Sequence, residues 1–172
     1  MTWKEGRQVP DTALIRFVSR RFSYPATLLD IGSGEGANAR ELRERGHEVI
    51  TVDKDPNVEC NHPCDIMDYH PDPWEAYDLI YDINTLCHVE YPPYMRISSW
   101  LRPGGLFFSI CPAIWTDGKE RIGRGKEFTR FITAVDLKAV LQLSFSTVQL
   151  YERKEPDFLG NNIHSWIVVA QG

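Results

Sequence analysis

The sequence has no apolar run of roughly 18 residues, so no membrane-spanning helix is expected. Its opening residues, Met-Thr-Trp-Lys-Glu-Gly-Arg, carry no apolar secretory segment. Cysteine is scarce, with four in 172 residues. Without secretory context, that fits reduced thiols in a cytoplasmic protein better than a disulfide scaffold. Positive charge is in deficit, with a net charge of -5. This argues against broad nucleic-acid binding, which needs a basic face, but leaves room for a local basic patch. There is no internal repeat and no low-complexity segment. What is present is ordinary for a soluble globular protein: 42% hydrophobic and 25% charged residues, with enough length for one domain, 1–172, around a full core.

The most informative stretch runs Thr27-Leu28-Leu29-Asp30-Ile31-Gly32-Ser33-Gly34-Glu35-Gly36-Ala37-Asn38. Its apolar start reads as a buried parallel strand. The glycines let the backbone turn sharply and let a ligand approach without meeting a Cβ. A helical pattern follows from about Glu35 to Arg45, with Gly46 as its C-cap. Strand, glycine turn and helix N-terminus form the first unit of a nucleotide-binding α/β fold. Gly32, Gly34 and Ala37 satisfy the weaker form of the dinucleotide pattern, so the glycines alone do not choose the ligand. Asp30 does: a carboxylate there would repel a pyrophosphate.

Leu-Asp-Ile-Gly-Ser-Gly-Glu-Gly resembles the cofactor signature Asp/Glu-x-Gly-x-Gly-x-Gly of class I S-adenosylmethionine-dependent methyltransferases. The resemblance implies a Rossmann-like α/β fold, a doubly wound seven-stranded sheet, mostly parallel with an antiparallel last strand. It implies S-adenosyl-L-methionine as cofactor and S-adenosyl-L-homocysteine as product. Asp30 would position the methionine amine of the cofactor, with Gly32, Ser33 and Gly34 under its backbone. His47 to Asp53 reads as the second strand, and Asp53 follows Gly34 by about twenty residues, where an acid accepts hydrogen bonds from ribose hydroxyls. Lys54 joins it in the implied cofactor set. A short third strand falls between Cys60 and Met67, and the family places residues such as Asp65 and Ile66 beside the adenine. Cys60, His62 and Cys64 have the wrong spacing for a zinc knuckle, and no metal is assigned.

Tyr77-Asp78-Leu79-Ile80-Tyr81-Asp82 resembles the family's fourth strand, with the strand itself over about Leu79 to Ile83. The wording is also similar to the thiopurine-methyltransferase-like branch, which acts on small molecules. Ligands bind at the carboxyl ends of parallel strands, so Asp82 and Asn84 are expected at the reaction edge. Asp82 and His88 are the catalytic candidates, His88 because its side-chain type titrates near neutrality. Tyr91-Pro92-Pro93-Tyr94 is similar to the Asn/Asp-Pro-Pro-Tyr motif of amino-group methyltransferases, but it comes late and opens with Tyr91. It reads as the start of a helix ending near Leu101. Arg102-Pro103-Gly104-Gly105 matches the family's Pro-Gly-Gly turn, with Pro103 stopping the helix before an apolar strand, Leu106 to Ile110.

Residues 1–11 read as an arm in which Trp3 and Arg7 could fold over the cofactor, with Asp11 capping a helix to about Phe22. The stretch 112–131 reads as a basic loop over the site, with Trp115, Lys119, Arg121 and Arg124 as substrate candidates beside Asn84. A helix from Thr133 to about Leu143 follows, then two strands, Phe145 to Arg153 and His164 to Ala170. The expected activity is methyl transfer to a small molecule, with an anionic acceptor suggested by the basic loop; an oligomer is compatible with the sequence. Two other readings stay open: a nicotinamide-dependent reductase, and a non-catalytic cofactor-binding module.

Overall fold

The computed structural model describes residues 9–71, 77–113, 133–156 and 162–172. Trp3 and Arg7, and the substrate candidates Trp115, Lys119, Arg121 and Arg124, lie outside the described residues.

The first helix, α1 (Thr12–Arg21), begins where the Asp11 carboxylate accepts from the backbone N–H groups of Ala13 and Leu14. Its apolar positions Leu14 and Val18 are fully buried. Then come β1 (Thr27–Ile31), α2 (Ala37–Glu44), β2 (Glu48–Asp53), β3 (His62–Pro63) and β4 (Tyr77–Ile83). A 3-10 turn (Leu86–His88), α3 (Tyr94–Ser99), β5 (Leu101–Pro112), α4 (Ala134–Leu141), β6 (Thr147–Pro156) and β7 (Asn162–Gln171) complete the described chain.

The strands form one seven-stranded sheet in the order β3-β2-β1-β4-β5-β7-β6. All pairings are parallel except those of β7, which runs antiparallel to both β5 and β6. The fold is therefore the expected Rossmann-like doubly wound sheet with an antiparallel last strand. Alternating side chains feed two cores. Leu28, Val49, Leu79, Tyr81 and Phe108 meet α1 and α2 on one face. Leu29, Val52, Ile80 and Phe107 meet α3 and α4 on the other. No helix among the described residues is long and apolar enough to cross a membrane.

Several boundaries differ from the sequence reading. Helix α2 starts at Ala37, not Glu35, because Gly36 takes a left-handed conformation (φ 73°) as its N-cap. Helix α3 ends at Ser99, well before Pro103, because the Trp100 carbonyl is taken by the Tyr77 N–H as β4 begins. The Pro-Gly-Gly stretch is a bulge inside β5 rather than a turn before it. Leu101 pairs with Tyr77 and Leu106 with Leu79, so the extra residues of β5 loop out between these pairs. Gly104 takes φ 78°, and a Cβ on Gly105 would lie 2.9 Å from the Arg102 carbonyl oxygen. The third strand shrinks to two residues, and Ile66 falls in the turn after it.

Candidate functional site

The strand order reverses direction between β1 and β4, and such switch points open a crevice at the carboxyl ends of the strands. Asp30, near the end of β1, pairs in register with Thr51 of β2 and Tyr81 of β4. All three side chains therefore share the face covered by α1 and α2. Asp30 is only 2% exposed. Burial pushes its carboxyl up to about 7, and the charges of Asp82 and Asp53 push the same way. The Tyr81 hydroxyl and, more weakly, Arg43 pull against this rise. In turn, burial and the Asp30 charge hold the Tyr81 hydroxyl well above its ordinary value. Tyr81 lies close enough to act on Asp30, but the geometry falls short of a full hydrogen bond. Asp30 Oδ2, Tyr81 Oη and Ser33 Oγ are all buried without a hydrogen-bond partner among the described residues.

The glycine turn is fixed from both sides. The N–H groups of Gly32 and Ser33 both donate to the Val52 carbonyl, at 2.8 and 3.2 Å. The Gly34 N–H donates to Asp53 Oδ2 at 2.8 Å, and Asp53 Oδ1 accepts from the Asp55 N–H. Asp53 is thus held at the end of β2, half-buried, beside the turn. Gly32 and Gly34 are glycines for different reasons. A Cβ on Gly32 would lie 2.1 Å from Thr85 Oγ1, so that position is closed by the protein's own packing. A Cβ on Gly34 would meet no atom of the described residues within 4 Å, so among them the space above it is open.

Asp82 has a local task. Its Oδ1 accepts from the N–H groups of Thr85 and Leu86, and its Oδ2 accepts from Ser109 Oγ at 2.8 Å. The side chain is fully buried, so the reaction-edge position expected for it is occupied by the turn it stabilises. By holding Thr85, Asp82 keeps the threonine against Gly32, whose carbonyl accepts from Thr85 Oγ1 at 3.4 Å. Asn84 follows with φ 56°, an unusual conformation for a non-glycine residue, and its N–H donates to the Ile110 carbonyl. His88 ends the 3-10 turn, half-buried, its N–H bonded to the Thr85 carbonyl. Lys54 is exposed. Asp65 Oδ1 accepts from the Met67 N–H, and the Ile66 side chain is 6% exposed within the α3/α4 core. No group of three or more His, Cys, Asp or Glu among the described residues is placed to hold a metal.

The structure thus brings Asp30, Ser33, Gly34 and Asp53 together at the carboxyl ends of β1 and β2 and turns Asp82 and Ile66 inward. Tyr81, Thr85 and Ser109 were not singled out by sequence. A tyrosine two positions after Leu79, on the same face of an otherwise apolar strand, is the one signal that could have pointed to Tyr81.

A parallel sheet with its glycine turn, strand-end acid and helix N-terminus at the switch point defines a nucleoside-cofactor-binding α/β protein. A family model described as "Methyltransferase domain" matches residues 3–142. The chain belongs to this family, and its fold is that of class I S-adenosylmethionine-dependent methyltransferases. The 1,6-didemethyltoxoflavin-N1-methyltransferase of Burkholderia thailandensis, solved with 1,6-didemethyltoxoflavin and S-adenosylhomocysteine, superposes with a TM-score of 0.73. It is 19% identical, over 93% of this chain and 77% of that one. Phosphoethanolamine N-methyltransferase 2 of Haemonchus contortus, solved with S-adenosyl-L-methionine, gives a TM-score of 0.72 at 15% identity. There 98% of this chain covers 55% of that chain, so the present chain spans about half its length. An S-adenosylmethionine-dependent methyltransferase from Methanosarcina mazei gives 0.64 at 14% identity, over 90% of this chain and 96% of that one. These likenesses are of fold. No curated protein sequence matches the chain.

Proposed function

We propose that the protein is an S-adenosylmethionine-dependent methyltransferase acting on a small molecule. The observation that carries this reading is the pairing of open space over Gly34 with a buried, incompletely bonded carboxylate at Asp30. A buried carboxyl lifted to about 7 gains most from a cation placed beside it, which is what the amine of the cofactor's methionine part offers. The residues present fit the cofactor in other respects. Asp53, oriented by the Gly34 N–H, keeps acceptor capacity for ribose hydroxyls. Gly34 leaves room for close approach of the ligand, and Ser33 Oγ has its hydrogen bonds still to make. Asp65 stands at the adenine side by analogy with the family. The bound cofactor would supply an activated methyl group for in-line attack by the acceptor. The chain's part is to bind, to orient and to bring the two reactants together, which is the larger share of such catalysis.

A small acceptor is supported by the small-molecule substrates named for two of the similar structures. An anionic acceptor is supported by the concentration of Lys119, Arg121 and Arg124 in one segment with Trp115. Asn84, just past the end of β4, and His88, at the end of the 3-10 turn that follows, are the candidates for contact with that acceptor. A cytoplasmic setting agrees with four free cysteines.

Calorimetric titration with S-adenosylmethionine, S-adenosylhomocysteine and NADH tests the cofactor. The two sulfur compounds should bind and NADH should not; the reverse result would replace this reading with a reductase. Turnover is then read as S-adenosylhomocysteine formed across pools of small acceptors. Binding with no product on any pool would leave a cofactor-binding module.

A further inference from the structure

A second concavity, of about 370 Å³, lies away from the glycine turn, between α1 and the antiparallel end of the sheet. Register explains its shape. Phe108, Val169 and Gln149 align across β5, β7 and β6, and so do Ile110, Ile167 and Tyr151. Helix α1 covers these rows only as far as Phe108, on which the Phe17 ring rests at 4.9 Å between centroids. Beyond it, Ile167 and Val169 are left half-exposed and Tyr151 is 51% exposed. The floor is therefore apolar.

The rim is different. Arg16, Arg20 and Arg21 of α1 line it, and none has an ion-pair or hydrogen-bond partner among the described residues. Tyr151 Oη donates to Gln149 Oε1, which turns the amide's donor end away from that bond. Among the described residues no acidic side chain lines the groove, although the chain carries 24 acids and a net charge of -5. Arg20 and Arg21 sit in the last turn of α1, where cations favour the helix dipole. That does not account for Arg16. Arg16 and Arg20 are spaced i, i+4, and like charges at that spacing destabilise an isolated helix. Two arginines spaced one turn apart beside an apolar strip find their complement in a ligand with a negative head and an apolar body.

We propose that this groove is a second binding site, specific for an amphiphilic organic anion: a carboxylate carried on an aliphatic or aromatic body. Its volume is at the small end of ordinary ligand pockets, about 300–1,000 Å³. The apolar body would lie on Phe17, Ile167 and Val169, and the carboxylate would meet the guanidinium groups of Arg16 and Arg20. The site does not involve the glycine turn, so it stands whether or not the cofactor assignment holds.

The test uses the whole chain and three probes of equal tail length: octanoate, octanol and octyltrimethylammonium. Titration calorimetry should show octanoate binding well above octanol, and no binding of the ammonium. The double variant Arg16→Gln/Arg20→Gln keeps good helix formers at exposed positions, so the fold and the melting temperature should persist. It should weaken octanoate by about tenfold or more while leaving S-adenosylhomocysteine affinity unchanged. Methyl NMR shifts on adding octanoate should centre on Ile167 and Val169. The proposal is overturned if octanoate binds no better than octanol, if the double variant binds it equally well, or if the shifts centre on the glycine turn.

Discussion

At the scale of single residues, Asp30 ties stability to function. Its carboxyl is raised from an ordinary value of 3.8 to about 7 by burial, so the folded chain holds the proton more tightly than the unfolded chain does. The stability this group supports is fully present below the unfolded value. It is lost as pH rises toward 7, because the unfolded state ionises freely while the folded state resists. Asp30→Asn removes that dependence. Urea denaturation should therefore show the variant gaining stability over the parent at pH 8 and losing the advantage at pH 4. Its affinity for S-adenosylmethionine should fall at pH 8, since the counter-charge to the amine is gone. A variant that gained no stability at high pH would mean that the carboxyl is not desolvated as described.

The two glycines of the turn separate packing from binding in the same way. Gly32→Ala drives a Cβ into Thr85 and should cost on the order of 2–3 kcal/mol in folding stability. Gly34→Ala meets no atom of the described residues within 4 Å and should cost only the strain of φ 53°, about 1 kcal/mol. If the cofactor passes over Gly34, that mild variant should still lose cofactor affinity markedly by calorimetry. Unchanged affinity would move the cofactor off this glycine.

At the scale of elements, the β5 bulge is a device of register. Leu101 pairs with Tyr77 and Leu106 with Leu79, and the looped-out Pro-Gly-Gly sits between them. Arg102, at its start, bonds both oxygens of Asp78, and Asp78 also accepts from the Thr27 N–H of β1. Three adjacent strands are thereby aligned at their amino-terminal ends, which sets where their carboxyl ends fall and so where the crevice opens. Gly105→Ala would place a Cβ 2.9 Å from the Arg102 carbonyl and 3.0 Å from that of Tyr77. Backbone atoms cannot step aside cheaply, so a loss of about 1–3 kcal/mol is expected. It should appear as a lower urea midpoint with an unchanged slope. A drop in the slope instead would indicate that the register had slipped.

At the scale of the whole molecule, the fold was legible because each buried strand announces itself as a short apolar run between breakers. Leu28-Leu29, Val49-Ile50 and Leu79-Ile80 needed no partner to be recognised. The Pro-Gly-Gly stretch reads as a turn in the sequence, since nothing local distinguishes a turn before a strand from a bulge within one. The crevice was legible in part: Asp30, Gly34 and Asp53 belong to one local pattern. Tyr81, Thr85 and Ser109 were not, because their roles come from register across β1, β4 and β5, which no single segment encodes. Asp82 shows the converse. Its position at a strand end suggested chemistry, while its bonds to Thr85, Leu86 and Ser109 bind the turn to the next strand.

Asp53 carries this integration to a measurable end, since it orders the glycine turn through Gly34 and stands ready for the ligand. Two quantities should respond differently to Asp53→Ala. The ligand-free protein loses two partly buried hydrogen bonds, to the Gly34 and Asp55 N–H groups, and its melting temperature should fall by the equivalent of about 1–2 kcal/mol. The further rise produced by S-adenosylhomocysteine measures binding by mass action, worth about 2.7 kcal/mol at a hundred times the dissociation constant. With the ribose hydroxyls left unpaired, affinity should drop by about 1–3 kcal/mol, which at the same ligand concentration removes about a third to nine-tenths of that rise. Thermal denaturation with and without the ligand reads both effects in one experiment. If the ligand-free melt falls and the ligand-induced rise survives intact, Asp53 serves the turn alone, and the ribose must be held elsewhere along the crevice.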